Sequence, residues 1–277
     1  IHRYIHQYTQ REWTAQIASH FDTIVVGSDQ VWRPLYYQPI EEAFLSFLGD
    51  AKIKRVAYAA SFGVDHCEYT EEQRKNCSSL LKKFDAVSVR ESSGVQLCQE
   101  YFDTKAVQVL DPTLLLSADD YKVLIKKSKT QLSKGNLLVY LLDRTKEKED
   151  FVERIAQAKG LTPFWMNSDI DDETLPLEQR IKMPVEQWLR SFDDAEFVLT
   201  DSFHGCVFSI IFRKQFLAVG NKKRGLERFN SLLNLFSIKD RLISSPLSNY
   251  DNITEINYAA IDQKLNGYRL SAMDYLK

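Results

Sequence analysis

The sequence predicts an α/β protein made of two Rossmann-like units. Two observations lead there. Short runs of Val, Ile, Leu and aromatic residues alternate with longer amphipathic stretches, the rhythm of strand and helix around a parallel sheet. That series is interrupted once, by the polar and lysine-rich stretch Lys126 to Gly135. At 277 residues the chain is long enough for two domains that each bury a core.

In the first half, strands are expected at Thr23 to Val26, Arg55 to Ala60, Ala86 to Val89 and Val107 to Leu110. Each is near-continuously apolar, as a strand covered on both faces should be. Each strand ends in small or polar residues: Gly27-Ser28-Asp29-Gln30, Ser61-Phe62-Gly63, Arg90-Glu91-Ser92 and Asp111-Pro112-Thr113. Any one of these segments is explained by a turn. Four in succession place polar groups along the carboxyl rim of a parallel sheet, where ligands bind.

Past the lysine-rich stretch, strands are expected at Leu137 to Leu142, Thr162 to Met166, Phe197 to Thr200 and Phe216 to Val219. Helical patterns at Lys146 to Lys159, Val185 to Asp193 and Gly205 to Phe212 lie between them, and Leu226 to Phe236 comes after. The expected organisation is a first domain over 1–125, a linker over 126–135, a second domain over 136–252 and a largely helical segment over 253–277. No solenoid-length repeat or low-complexity tract interrupts it.

Composition narrows the function. Hydrophobic residues at 44% and charged residues at 27% describe a soluble globular chain. With 36 bases against 38 acids there is no global field to attract nucleic acid, so any anion site must be local. Cys67, Cys77, Cys98 and Cys206 form no CxxC pair, which gives neither a zinc signature nor a disulfide framework and fits a reducing cytoplasm. No metal or cofactor is expected. No apolar run approaches the roughly 20 residues of a membrane span, which leaves peripheral contact with a membrane open. The chain starts at Ile1 rather than at methionine and reads as a fragment or a processed form.

The sharpest motif is Thr200-Asp201-Ser202-Phe203-His204-Gly205, caught between an apolar strand and the apolar stretch after it. Val207, Ile210 and Ile211 have helical spacing. His204 is therefore expected in the first turn of a buried helix, with Ser202 or Asp201 capping its N–H groups. Such a terminus favours an anion. Taken alone, a histidine there is more often a hydrogen-bonded packing residue and the Asp-Ser pair more often a cap.

TDSFHG followed by an apolar helix and Arg213 resembles the signature of the polysaccharide pyruvyl transferase family. VGSDQVW from Val26, YAASFG from Tyr58, SVRES from Ser88 and LDPT from Leu110 resemble it in the same order, over approximately Asp22 to Leu242. The resemblance implies two Rossmann-like domains facing across a cleft, the glycosyltransferase B-like arrangement, with the C-terminal helix packing back on the first domain. Members usually begin with a strand and a glycine-containing loop. Nothing in Ile1 to Phe21 resembles these, so the first βα unit is expected to be missing. Some members carry arginine where this chain has Ser202, so another base must supply that phosphate contact.

The implied reaction joins pyruvate from phosphoenolpyruvate to a glycan or lipid-linked oligosaccharide as a ketal. Its donor carries a carboxylate and a phosphate, which need fixed cations and N–H donors. Arg90, oriented by Glu91, is expected to bind the donor together with Ser202, Phe203, Gly205 and Arg228. Lys222, Lys223 and Arg224 are further candidate bases. Ketal formation needs a reversible acid, and an unperturbed imidazole titrates near 6.5, so His204 is expected to be catalytic, with Asp201 beside it. Ser28, Asp29, Gln30, Trp32 and Ser61 are expected on the acceptor side, the indole packing on a sugar ring, the alternative being a plain turn with a core tryptophan. Two other readings are a nucleotide-sugar-dependent glycosyltransferase and a catalytically silent sugar-binding protein.

Overall fold

The computed structural model describes residues 14–166, 183–220, 225–247 and 254–277. The chain divides into two compact units, Ile1–Pro112 and Thr113–Lys277, each a mixed α/β body around a parallel sheet, consistent with a Rossmann-like fold. The division falls ahead of the expected linker 126–135, whose first two lysines lie inside a helix. A polar lysine-rich composition marks an exposed connection, and a connection within one unit has the same composition as a linker between two.

The first unit carries four parallel strands in the order β1 (Thr23–Val26), β2 (Lys54–Ala60), β3 (Ala86–Val89) and β4 (Val107–Gln108). Helix α1 (Glu71–Leu81) joins β2 to β3, and α2 (Ser92–Phe102) joins β3 to β4. The start of α1 is fixed by a reciprocal cap: the Thr70 side chain accepts from the Gln73 N–H, and the Gln73 side chain accepts from the Thr70 N–H. β2 is buried from Arg55 onward. β1 is not the doubly covered strand its composition suggests, since it lies at the edge of the described sheet and leaves Val25 exposed.

The core of this unit is aromatic. The Trp32 ring stacks on Phe44 at 4.8 Å, and Phe62 stacks on Phe102 at 5.8 Å. With Leu81, Val89 and Leu97 they form one buried cluster. Burial of each aliphatic or phenyl side chain contributes about 2 kcal/mol.

In the second unit α3 (Ala118–Lys127) leads into β5 (Leu137–Tyr140), α4 (Lys146–Lys159), β6 (Pro163–Trp165), α5 (Val185–Asp194), β7 (Phe197–Thr200), α6 (Phe203–Ile211), β8 (Gln215–Val219), α7 (Glu227–Leu235), β9 (Leu242–Ile243) and α8 (Tyr258–Tyr275). The α3 start repeats the reciprocal cap, with Ser117 and Asp120. α4 ends on Gly160 in the left-handed region, φ +64, where glycine carries no steric penalty.

All five strands are parallel, in the order β6-β5-β7-β8-β9. The chain therefore leaves β5 on one side to form β6 and returns on the other to form β7. The order in which strands are added reverses between β5 and β7, and in open α/β sheets ligands bind outside the carboxyl ends of the strands at such a reversal. The last helix, α8, is held within the unit by Arg269, which donates to the carbonyls of Leu114 and Leu116 at 2.6 Å each.

Candidate active site

The reversal point of the second sheet is where the TDSFHG motif lies. Thr200, the last residue of β7, donates its hydroxyl to the Tyr140 carbonyl of β5 at 2.7 Å and accepts the Ser202 N–H at 3.0 Å. Ser202 is the N-cap of α6, its side chain accepting from the Gly205 N–H at 3.3 Å. His204 sits in the first turn, half-buried, with its ring 5.3 Å from that of Phe203. Gly205 is required by space: a Cβ there would lie 2.1 Å from the Thr200 hydroxyl oxygen.

Asp201 behaves differently from its neighbours. It is 1% exposed. Its carboxylate accepts from the N–H groups of Leu142 (2.5 Å) and Asp143 (3.1 Å) and pairs with Lys148 Nζ at 2.6 Å. Lys148 in turn donates to the Asp143 carbonyl at 2.7 Å. Expected beside His204 as a second catalytic group, Asp201 pins the turn after β5 to α4 and so positions the rim. Lys148 was not legible as its partner, because a lysine in the first turn of a charged amphipathic helix carries no signal of a carboxylate 53 residues away.

Arg228, at the start of α7, is buried and has its guanidinium carbon 5.4 Å from the centre of the Phe203 ring, a cation–π contact. A fixed cation thus lies against the first residue of α6. Lys222, Lys223 and Arg224 lie outside the described residues.

In the first unit, the four polar rim segments do converge. The Arg90 guanidinium is 3% exposed and bridges two carboxylates, Asp111 Oδ2 at 2.6 Å and Asp29 Oδ1 at 2.9 Å. Burial opposes its charge, but Asp111, Glu91 and Asp29 outweigh that and hold its pKa above the ordinary value. Asp111 is itself buried, whereas the Asp29 side chain is 59% exposed. Asp29 adopts φ +64, a left-handed conformation that is uncommon for a non-glycine residue. Its carbonyl accepts from both Val31 (2.8 Å) and Ser61 (2.9 Å), which hold it there.

Glu91 does not orient Arg90 by an ion pair, as the sequence suggested. One carboxylate oxygen accepts from the Ser61 hydroxyl (3.0 Å) and the N–H groups of Phe62 (2.7 Å) and Gly63 (2.9 Å). The other is buried with no hydrogen-bond partner. Burial therefore dominates and pushes the carboxyl above its ordinary range. Glu91 is the clamp that ties the end of β2 to the start of α2.

The acceptor-side expectations divide. Ser28 and Gln30 are half-buried at the end of β1, and Gln30 accepts from Arg33 Nη1 at 3.3 Å. Ser61 is buried and committed to Glu91. Trp32 is 0% exposed, and its indole N–H donates to the Ala43 carbonyl at 3.1 Å, so it is a core residue and offers no face to a sugar. An apolar ring two positions past a polar turn looks the same in sequence whether it turns inward or outward. The exposed aromatic of this loop is Tyr36. Arg33 lies 4.7 Å from its ring and is itself anchored by a two-pronged pair with Glu68, both contacts 2.9 Å.

Cys77 and Cys98 are buried thiols pushed up to about 12 by desolvation, and Cys206 is pushed up further, which suits packing rather than nucleophilic chemistry. Among the described residues no group of three His, Cys, Asp or Glu side chains is placed to hold a metal ion, and no helix is long and apolar enough to cross a membrane.

A family model described as polysaccharide pyruvyl transferase matches residues 1–223. The match takes in residues 1–21, which carry none of the resembling motifs, and ends short of Leu242. No curated protein matches the chain in a sequence search.

Proposed function

The chain belongs to the polysaccharide pyruvyl transferase family, and from that premise we propose that it transfers pyruvate from phosphoenolpyruvate to a sugar of a cell-surface polysaccharide or its precursor, forming a ketal across two hydroxyls. The observation that carries this reading is the placement of TDSFHG at the reversal of the second sheet. There a half-buried histidine and the N–H groups of a helix start stand on a fixed rim.

The charges on each unit's rim support a reading of which substrate each rim suits. The rim of the first unit presents an exposed carboxylate, Asp29, backed by a buried arginine that already serves two acids. That rim repels a multiply charged anion and accepts hydrogen bonds from hydroxyls, so it suits the sugar, with Ser28 and Gln30 beside Asp29. Arg90, expected to contact the donor, then works by holding Asp29. The start of α6 supplies what phosphoenolpyruvate needs: the positive end of the helix dipole, the Ser202 hydroxyl as a donor, and Arg228 held against Phe203. Arg228 is the base that stands in for the arginine absent at Ser202.

In the reaction His204 delivers a proton to the methylene carbon of phosphoenolpyruvate. One hydroxyl adds to the neighbouring carbon, a second adds as the bond to the phosphate oxygen breaks, and phosphate leaves with that electron pair. The two hydroxyl protons end on the new methyl group and on phosphate, so His204 must both give and regain a proton. No cofactor is called for. The four unpaired thiols agree with a reducing, cytoplasmic setting.

The test is to incubate the protein with phosphoenolpyruvate and a panel of glycans and to follow phosphate release with a pyruvyl gain in mass. Nucleotide sugars form the parallel arm. Glycosyl transfer from a nucleotide sugar, with no phosphate from phosphoenolpyruvate, would replace this reading with that of a glycosyltransferase.

A further inference from the structure

From the last turn of α3 towards β5 the chain runs Lys126-Lys127-Ser128-Lys129-Thr130-Gln131-Leu132-Ser133-Lys134-Gly135 with no acidic residue. All four lysines are exposed, and none forms an ion pair among the described residues. Helix-dipole compensation accounts for Lys126 and Lys127 in the last turn of α3. It does not account for Lys129 or Lys134, nor for Leu132, which is 72% exposed between them.

This segment is fixed in place. The Gln131 N–H donates to the Gln187 side chain and the Gln187 amide donates to the Gln131 carbonyl, both at 2.8 Å, and the Ser133 N–H donates to Asp194 at 2.8 Å. The loop is thereby laid along α5, whose Val185 is 65% exposed. Of the three acids of α5, Asp194 receives the Ser133 N–H and is paired with Arg190, Asp193 is paired with Lys122, and Glu186 in the first turn forms no ion pair among the described residues. Among the described residues no carboxylate pairs with the lysines of the loop. The result is a basic ridge with apolar tips, on a chain whose net charge is only −2.

We infer that this ridge docks the second unit on the surface of an anionic lipid bilayer. Lysines near such a surface contribute by attraction to its negative potential, and apolar side chains inserted at the headgroup boundary add area removed from water. The tips decide between anions: Leu132 and Val185 gain from an acyl boundary and nothing from a phosphodiester backbone. The ridge leads into the amino end of β5, the end of the sheet opposite to the rim that bears His204, so docking leaves that rim open. The inference does not depend on which donor the protein uses.

The experiment is co-sedimentation of the whole chain with phosphatidylcholine vesicles, with and without phosphatidylglycerol, at low and high salt. Binding is expected only with the anionic lipid and should fall as salt rises. Lys129→Gln with Lys134→Gln should weaken partition by roughly 25-fold, about fivefold per lysine. Leu132→Ala should weaken it by about tenfold, through lost apolar area. Failure of the wild type to bind phosphatidylglycerol vesicles at low salt would overturn the inference, as would binding indifferent to these substitutions. Equal binding of heparin, with Leu132→Ala neutral on vesicles, would make the ridge a site for a soluble polyanion instead.

Discussion

At Lys148 and Asp201 a buried charge on each side depends on the other. Lys148→Met leaves Asp201 with two N–H donors but no counter-ion in an interior position, and breaking a buried pair from one side costs about 3 kcal/mol or more. Chemical denaturation should show that loss, and Lys148→Met combined with Asp201→Asn should lose clearly less than the sum of the singles. Additive losses would mean that the pair carries no coupling. His204 lies on the same motif but is half-exposed, so its substitution is expected to touch chemistry before stability. In His204→Asn, turnover with phosphoenolpyruvate should drop by about 10²- to 10⁴-fold, with donor affinity and melting temperature little changed. A loss confined to donor affinity would recast His204 as an anion ligand. Of these residues the sequence made Ser202 and His204 legible, because a cap and a first-turn residue are defined by their immediate neighbours. Lys148, Asp111 and Arg33 owe their roles to partners at long range, Asp201, Arg90 and Glu68, which local pattern does not encode.

The elements that carry the rim depend on glycines that admit close approach. Gly205 lets the first turn of α6 sit on Thr200, and a Cβ would displace the hydroxyl that bridges β7 to β5. Gly205→Ala is expected to lower stability by about 1–3 kcal/mol, as overpacking does, and to reduce turnover by more than that loss of folded protein explains. Activity measured where the variant stays fully folded checks this, and unchanged turnover there would show that the start of α6 tolerates displacement. Gly63 is a parallel case in the first unit: it adopts φ +75, and a Cβ would lie 1.9 Å from the Gln30 side-chain oxygen. At this scale much of the fold was legible in the sequence. β1, β3 and β7 match their expected bounds, α4 matches because Thr145 and Gly160 punctuate it, and α5 to α7 lie within one or two residues of expectation. β9 was not foreseen, since two residues, Leu242–Ile243, are too few to show a period. The sequence left the inward turn of Trp32 undecided, because alternation is lost in an irregular loop.

Across the whole molecule the sequence announced two units, and the division itself lies at Pro112–Thr113 because α3 packs with α5 of the second sheet rather than with the first. Composition records which residues meet water and does not record which body a helix joins. One titration separates the two units experimentally. Burial raises the Glu91 carboxyl in the folded state above 4.5, its ordinary value, so the folded first unit binds a proton more tightly than the unfolded chain does. By linkage that group's contribution to stability is fully present below 4.5 and is lost as pH rises through the raised folded value. Glu91→Gln removes the titration while leaving an oxygen to accept from Ser61, Phe62 and Gly63. Relative to wild type, the variant should gain stability as pH is raised from about 4.5 towards neutrality, and the difference should level off once the wild-type carboxyl is ionised. Hydrogen exchange read at β2 and β3 for the first unit and at β7 and β8 for the second supplies the measurement, with the shift expected in the first pair alone. A difference that ran the other way with pH would mean that the three donors and Arg90 outweigh burial and that Glu91 is an ordinary ionised clamp.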